Sequence, residues 1–283
     1  MSQPPVRAAD LTQAREVAAA ALTLDAPQAA ALVGYLSRPP AERRWTALAT
    51  DDGVVLASMG QGDTGHVDLL AVHPSAQGRG QGRSLVRAAE EWLRAQGARQ
   101  ARFAGNPPCY AWPGIDVRYT AAACLAENLG YERYQVAWNM TADLGADLSV
   151  TADLARLEQA GVRVVAAGAE REPVAAFVRE HWNDNWAWEA ANASGLHYAE
   201  RDGQILGFAA WGARPGWFGP TGTAPQARGL GVGRVLLRRC LADLRASGQD
   251  DAEIGWVGPL RFYSRAVGAR VERVFWLYRR ELA

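Results

Sequence analysis

Two stretches of the chain repeat one order of apolar and polar positions. Apolar residues recur at helical spacing over Leu11–Leu22 and Pro27–Leu36, and again over Glu172–Trp182, which predicts helices ahead of each following sheet. Alternating runs then read as strands: Trp45–Thr50 and Val54–Gly60 flank Asp52-Gly53, and Leu196–Glu200 and Ile205–Trp211 flank Asp202-Gly203. An Asp-Gly pair between β-rich runs predicts a hairpin, because both residues tolerate the positive φ of a tight turn. A further strand follows in each half (Val67–Val72; Trp217–Thr223), then a glycine-rich loop, then an amphipathic helix that stops at Gly97 or Gly248. A strand (Ala101–Ala104; Ala252–Val257), another helix and a last strand (Tyr134–Met140; Val271–Tyr278) complete each half.

The repetition reaches single residues. Sliding the chain by 151 positions superposes Gly80 on Gly231, Gly82 on Gly233 and Arg83 on Arg234, and the match runs on without gaps through Leu85/Leu236, Leu93/Leu244 and Gly97/Gly248. One glycine-rich loop can arise by chance, whereas two loops followed by the same helix pattern imply duplication. The period is near half of the 283 residues, too long for a solenoid, so the chain holds two copies of one domain. Asp, Gly and Ser accumulate without periodicity over Thr141–Thr151, which predicts domains at 1–143 and 144–283. Only the first copy carries an insertion, Pro107 to Arg118, with Tyr110, Trp112 and Asp116 in it.

Composition narrows the function. Hydrophobic residues make up 49% and charged residues 21%, enough apolar side chain for a core and too much for disorder. Thirty basic and thirty acidic residues cancel, so no nucleic acid or membrane partner is expected. Every basic residue is Arg, which excludes a G-x-x-x-x-G-K-[ST] phosphate loop. The start, MSQPPVRAADLTQ, has no apolar secretory core and no apolar run of about 18 residues exists, so a soluble cytoplasmic protein is expected. Three cysteines and four histidines offer no metal-ligand spacing, and Cys240 shares a helical stripe with Leu237, Leu241 and Leu244, as a core residue would.

The repeated loop has its own chemistry. The first-turn amides of a helix lack intrahelical acceptors, the helix dipole places positive charge there, and glycines let an anion approach the backbone. Arg79, Arg83, Arg228, Arg234 and Arg238 add cationic charge nearby. A dinucleotide loop would read G-x-G-x-x-G, which these do not.

The pattern Val72-His-Pro-x-x-Gln77-x-x-Gly80-x-Gly82 resembles the acyl-CoA signature of the GNAT superfamily of N-acyltransferases, and Thr223-Ala-Pro-x-x-Arg228-x-x-Gly231-x-Gly233 resembles it in the loop as well. The resemblance implies a tandem GNAT protein: two α/β domains, each with a mixed, largely antiparallel sheet. It implies that acetyl-CoA binds through Val72, His73, Pro74, Gln77, Gly78, Arg79, Gly80, Gln81, Gly82, Arg83 and Ser84 in the first copy. In the second copy the corresponding residues are Thr223, Ala224, Arg228, Gly229, Leu230, Gly231, Val232, Gly233 and Arg234. The implied reaction is acetyl-CoA-dependent N-acetylation of a small amine. A non-catalytic acyl-CoA-binding or scaffold protein is the alternative.

Family members often use a Tyr on the helix after the second-last strand to protonate the departing thiolate. Phe262-Tyr-Ser-Arg-Ala-Val-Gly-Ala269 resembles that pattern with one extra residue and makes Tyr263 the expected acid, against a Tyr simply packed under the sheet. The first copy reads Cys124-Leu-Ala-Glu-Asn-Leu-Gly-Tyr131, with Leu125 or Ala126 at that place, so the chemistry is expected in the second copy. Tyr110 and Tyr119 are conceivable substitutes. His66 and Asp68 stand where some family members carry a base, against a strand-end His and a solvent-facing Asp. In the second copy Glu253, Asp184 and Glu189 read as surface charges, with a water relay in their stead. Trp182, Trp186 and Trp188, with Trp211 and Trp217, suit either an aromatic wall or core filling.

Overall fold

A computed structural model describes residues 5–282, and in it the first alternating runs become a sheet covered by helices. β1 (Arg7–Ala8), α1 (Leu11–Ala21) and α2 (Ala26–Leu36) precede β2 (Trp45–Ala49), β3 (Gly53–Met59) and β4 (Thr64–Val72). The Asp10 carboxylate caps α1 by accepting from the Thr12 amide at 3.0 Å. Every residue of β3 is buried, since both α1 and α3 (Gln81–Ala95) pack on it, which is why its sequence is apolar but for Ser58, whose hydroxyl accepts from Asn106. β5 (Gln100–Phe103), β6 (Ile115–Asp116), α4 (Thr120–Asn128) and β7 (Glu132–Asp143) follow.

The second set opens with two elements that periodicity did not reveal, α5 (Thr151–Gln159) and β8 (Arg163–Ala166). α6 (Glu172–His181), α7 (Asp184–Asn192), β9 (Gly195–Arg201), β10 (Gln204–Trp211), β11 (Trp217–Thr223), α8 (Val232–Ala246), β12 (Asp251–Ile254), α9 (Leu260–Val267) and β13 (Arg270–Glu281) complete it. Both sets match the mixed, largely antiparallel α/β sheet expected of them: β2, β3 and β4 pair antiparallel, as do β8, β9, β10 and β11, while β4–β5 and β11–β12 are parallel.

Two structural units result. Unit 1 takes the chain up to Ala137 and again from Arg273 onward, and unit 2 takes Trp138–Glu272. The last strand of unit 1 is therefore the last strand of the chain: β13 pairs antiparallel with β5 through Tyr278–Glu281. The corresponding edge in unit 2 is filled by β7, whose Met140–Asp143 pair with β12. A division at 143/144 follows the linker composition but not this pairing. β7 and β13 carry similar alternation, so the pattern alone cannot say which edge each joins.

The 151-residue offset holds in the structure. α3 and α8 are related by it at both ends, as are the short 3₁₀ turns Pro74–Ala76 and Pro225–Ala227. The parallel pair His66↔Arg102 maps onto Trp217↔Glu253. Each unit has its own core, with Val55, Leu85, Leu93 and Tyr278 in unit 1, and Phe218, Leu236, Cys240 and Leu244 in unit 2. Among the described residues no helix is long and apolar enough to cross a membrane.

Candidate active site

In both units the strand before the glycine loop parts from its parallel neighbour. β4 loses β5 beyond His66↔Arg102 and runs on to Val72; β11 loses β12 beyond Phe218↔Ile254 and runs on to Thr223. Each gap is a cavity. The one in unit 1, of about 480 Å³, is lined by Val67–Leu70, Val72, Pro74, Gln77, Phe103 and Ala104 among others. The one in unit 2, of about 630 Å³, is lined by Phe218–Thr223, Gly233 and Ile254–Pro259, with Trp186, Phe262 and Tyr263.

The loops are built alike. Gly80 and Gly231 cap their helices in the left-handed region, at φ +84° and +87°, where a Cβ is disfavoured. Neither helix has a side-chain cap. Ser84 N–H donates to Gly80 O at 3.0 Å and Val235 N–H to Gly231 O at 3.2 Å, but the amides of Gly82, Arg83, Gly233 and Arg234 find no acceptor among the described residues. A Cβ on Gly82 would stand 2.9 Å from Leu125 Cδ2, and one on Gly233 3.1 Å from Thr223 Oγ1, so the second glycine serves close approach. Two adjacent free amides at a helix N-terminus can take an anion, and these residues fit the pyrophosphate of coenzyme A.

The other expected ligands of the loops divide. Gln77 Nε2 donates to Val72 O at 3.1 Å and braces the turn, while His73 Nδ1 accepts from the Ser75 amide and hydroxyl and caps the 3₁₀ turn Pro74–Ala76; Ala224 holds the equivalent place in unit 2 without a side-chain cap. Pro74 begins that turn, Ser84 is buried, and Gly78, Arg79 and Arg83 are exposed. Gln81 Oε1 is buried without a partner. Thr223, Arg228, Gly229, Val232 and Arg234 line a second unit 2 cavity, of about 770 Å³, at the start of α8. Leu230 O accepts from Arg156 at 2.9 Å.

Tyr263 lies on the wall of the strand gap in unit 2. It is 7% exposed, packs edge-on against Phe262 and Phe218, and its hydroxyl has no hydrogen bond among the described residues. Burial pushes the phenol up to about 12. Trp256, at φ +46°, turns β12 into the cavity wall, and its amide donates to Asn139 Oδ1 at 2.7 Å. Asn139 Nδ2 in turn donates to Glu253, which also accepts from Arg214. Glu253 is thus a structural anchor, and Asp184 is a surface partner of Arg179 at 3.1 Å. Glu189, one turn beyond Trp186 on α7, is pushed up by burial to about 8. Trp182 stacks on Trp186 and packs against Phe208, so the aromatic segment is part core and part wall. Sequence reasoning missed Trp256 and Asn139, because neither belongs to a motif and only the strand pairing brings them together.

Unit 1 fills its gap differently. Asp68 occupies a bulge of β4, where Leu56↔Leu69 is followed by Ala57↔Val67. It lines the cavity with Oδ1 buried and unpartnered, and burial pushes the carboxyl up to about 7 against a hydrogen bond to Ser58 and the charge of Arg43. His66 Nδ1 donates to Ala104 O at 2.9 Å, and burial holds the imidazole down to about 4, so it stays neutral. On α4, Leu125 meets Gly82 as Phe262 meets Gly233, which sets Ala126 at the place of Tyr263. Tyr119 is engaged elsewhere: its hydroxyl donates to Asp25 Oδ2 at 3.0 Å. Arg273 binds Asp25 at 2.7 Å and Asp116 at 2.8 Å, and Arg118 also binds Asp116 at 2.8 Å. Among the described residues no His, Cys, Asp and Glu side chains gather to hold a metal ion.

Known proteins show the same arrangement. The sequence profile of the Acetyltransferase (GNAT) family matches twice, over residues 12–110 and 165–267. A mycothiol acetyltransferase of Thermomonospora curvata is 32% identical over 230 residues, which cover 74% of this chain and 72% of that protein. Among solved structures, a tandem GNAT protein from the clavulanic acid biosynthesis pathway, solved without acetyl-CoA, superposes with a TM-score of 0.72 at 18% identity and 99% coverage of both chains. The GCN5-related glucosamine N-acetyltransferase region of a fungal multi-domain GH3 β-N-acetylglucosaminidase gives 0.74 at 19% identity, with 99% of this chain and 38% of that longer one covered. With two matched loops, two parted strand pairs and these relatives, the chain belongs to the acetyltransferase (GNAT) family, as an N-acetyltransferase that uses acetyl-CoA.

Proposed function

We propose that the chain transfers acetyl to a primary amine on a small molecule, and that the transfer takes place in unit 2. The observation that carries this reading is Tyr263, with an unpartnered hydroxyl on the wall of the gap between β11 and β12. A phenol raised to about 12 is protonated throughout the physiological range and can donate its proton to a departing thiolate. When bound, acetyl-CoA supplies an activated thioester. The amides of Gly233 and Arg234 take its pyrophosphate, with Gly229, Leu230, Gly231 and Val232 shaping the cradle and Arg228 beside it. The free edge of β11 up to Thr223 and Ala224 takes the pantetheine arm. The incoming ammonium must lose a proton, and Glu189, raised to about 8, is placed one turn from the cavity residue Trp186 to receive it through water.

Unit 1 offers the same cradle in Gly80, Gly82 and Arg83, but with Ala126 where unit 2 has Tyr263, which favours binding without turnover there. The acceptors to try first are amines related to mycothiol, since the relative from Thermomonospora is a mycothiol acetyltransferase. The test is thioester consumption against a panel of small amines by the wild type and Tyr263→Phe. Turnover should fall by roughly 10²–10⁴-fold, the range of a general acid, while acetyl-CoA affinity holds. Undiminished turnover in Tyr263→Phe would move the chemistry out of this gap.

A further inference from the structure

The cofactor cleft of unit 2 carries more positive charge than a pyrophosphate needs. Its cavity at the start of α8, about 770 Å³, is lined by Arg156, Arg228, Arg234, Arg261 and Arg265, and by no acidic side chain. Asp153 on α5 compensates part of this charge, binding Arg156 at 3.2 Å and Arg234 at 2.5 Å. Arg228, Arg261 and Arg265 have no ion pair or hydrogen bond among the described residues. Arg261 and Arg265 are four residues apart on α9, one turn above the other, where like charges repel. Four net positive charges thus face one cavity, while a pyrophosphate diester brings two negative ones.

We propose that Arg261 and Arg265, with Arg156 lining the same cavity, form a phosphomonoester site that takes the 3′-phosphate of coenzyme A and makes unit 2 discriminate against dephospho-coenzyme A. The guanidinium fork matches phosphate oxygens two at a time, and a phosphomonoester near neutral pH carries up to two further negative charges. Unit 1 supplies the contrast. The positions on α4 that correspond to Arg261 and Arg265 are Cys124 and Asn128, so unit 1 lacks this pair of guanidinium groups. The cavity therefore assigns a specificity role to side chains outside the glycine loop.

The inference rests on the cofactor reading, and one experiment separates the two. Calorimetric titrations of the full chain with coenzyme A and with dephospho-coenzyme A are run at low and moderate salt, on the wild type and on R261Q/R265Q. Both substituted residues are exposed, so the fold should tolerate the change. In the wild type one class of site should bind coenzyme A at least about tenfold more tightly than dephospho-coenzyme A, with the preference shrinking as salt rises. In R261Q/R265Q that preference should disappear through weaker coenzyme A binding, with dephospho-coenzyme A unaffected. Equal affinities in the wild type, discrimination that survives the double substitution, or equal weakening of both ligands overturns the proposal. Failure of both ligands to bind the wild type would instead overturn the cofactor reading.

Discussion

The clefts of unit 1 and unit 2 share a backbone and differ in many of the side chains that line them. Helix length, the left-handed glycines and the point at which the parallel strands part all agree under one offset. The side chains have diverged: unit 2 has Arg261 and Arg265 on α9 and a buried phenol in the gap, whereas unit 1 has Asp68 in the gap and a network of Arg273, Asp25, Asp116 and Arg118 at its rim. The difference teaches that a glycine loop presenting free backbone amides survives duplication with little constraint on its surroundings. Its donors belong to every residue type but proline, so only the glycines must persist.

The comparison can be broken most severely at Arg273. This guanidinium, 8% exposed, holds two buried carboxylates, and Arg273→Met would take the ion pair from Asp25 and leave Asp116 with Arg118 alone. Unit 1 should lose about 3–5 kcal/mol, the cost of breaking a buried ion pair, seen as an earlier chemical-denaturation transition. A transition unmoved by the substitution would mean that the rim network does not hold this cleft. Next in size is Gly231→Asp, which places a Cβ in the left-handed region and a negative charge where positive charge is needed. Turnover should drop by roughly 10²-fold, and calorimetry should count one acetyl-CoA site fewer. The same count after Gly80→Asp would identify the site of unit 1. Two sites remaining in either variant would show that the loops do not bind the cofactor.

A smaller effect is expected at Asn139, which joins Glu253 to the Trp256 amide. Asn139→Leu removes the hydrogen bonds to Glu253 and to the Trp256 amide, at about 1–3 kcal/mol. The KM for the amine should rise more than kcat falls, because the cavity wall at Trp256 loosens; unchanged KM would confine Asn139 to stability.

The smallest effect is the pH dependence of Asp68. Its carboxyl, raised from 3.8 to about 7, holds a proton in the folded state that the unfolded chain releases, so its contribution to the stability of unit 1 falls as pH rises from about 4 to 7 and is level above. His66, lowered from 6.5 to about 4, slopes the other way, losing stability as pH falls through that window. Asp68→Asn removes only the first slope. At pH 8 it should raise the melting temperature of unit 1 by a few degrees, and at pH 4 the gain should vanish. A gain of equal size at both pH values would show that the carboxyl does not titrate in this window.

The duplication, the element order and the two glycine loops were legible in the sequence, because hydrophobic period and glycine position report local backbone conformation. Gly80 and Gly231 had to be glycine for a reason that acts within a few residues of the chain. Tyr263 could be placed on its helix by motif, but not shown to face the gap. The arginines of α9 were visible as letters four apart, without the cavity that gives them a common target. Asp68 alternated with Val67 and Leu69 as an outward residue would; the bulge, which lies in the pairing of β3 with β4, turns it toward the cavity instead.

The sequence by itself determined what depends on neighbours along the chain: hairpins, amphipathic helices, positive-φ glycines and the repeat that relates one half to the other. Tertiary structure alone decided which edge β7 and β13 each complete, since similar strands satisfy either edge and only the pairing distinguishes them. It also decided the ionisation of the site groups. Tyr263, Glu189 and Asp68 are displaced by desolvation, and desolvation is fixed by residues distant in sequence that fold over them.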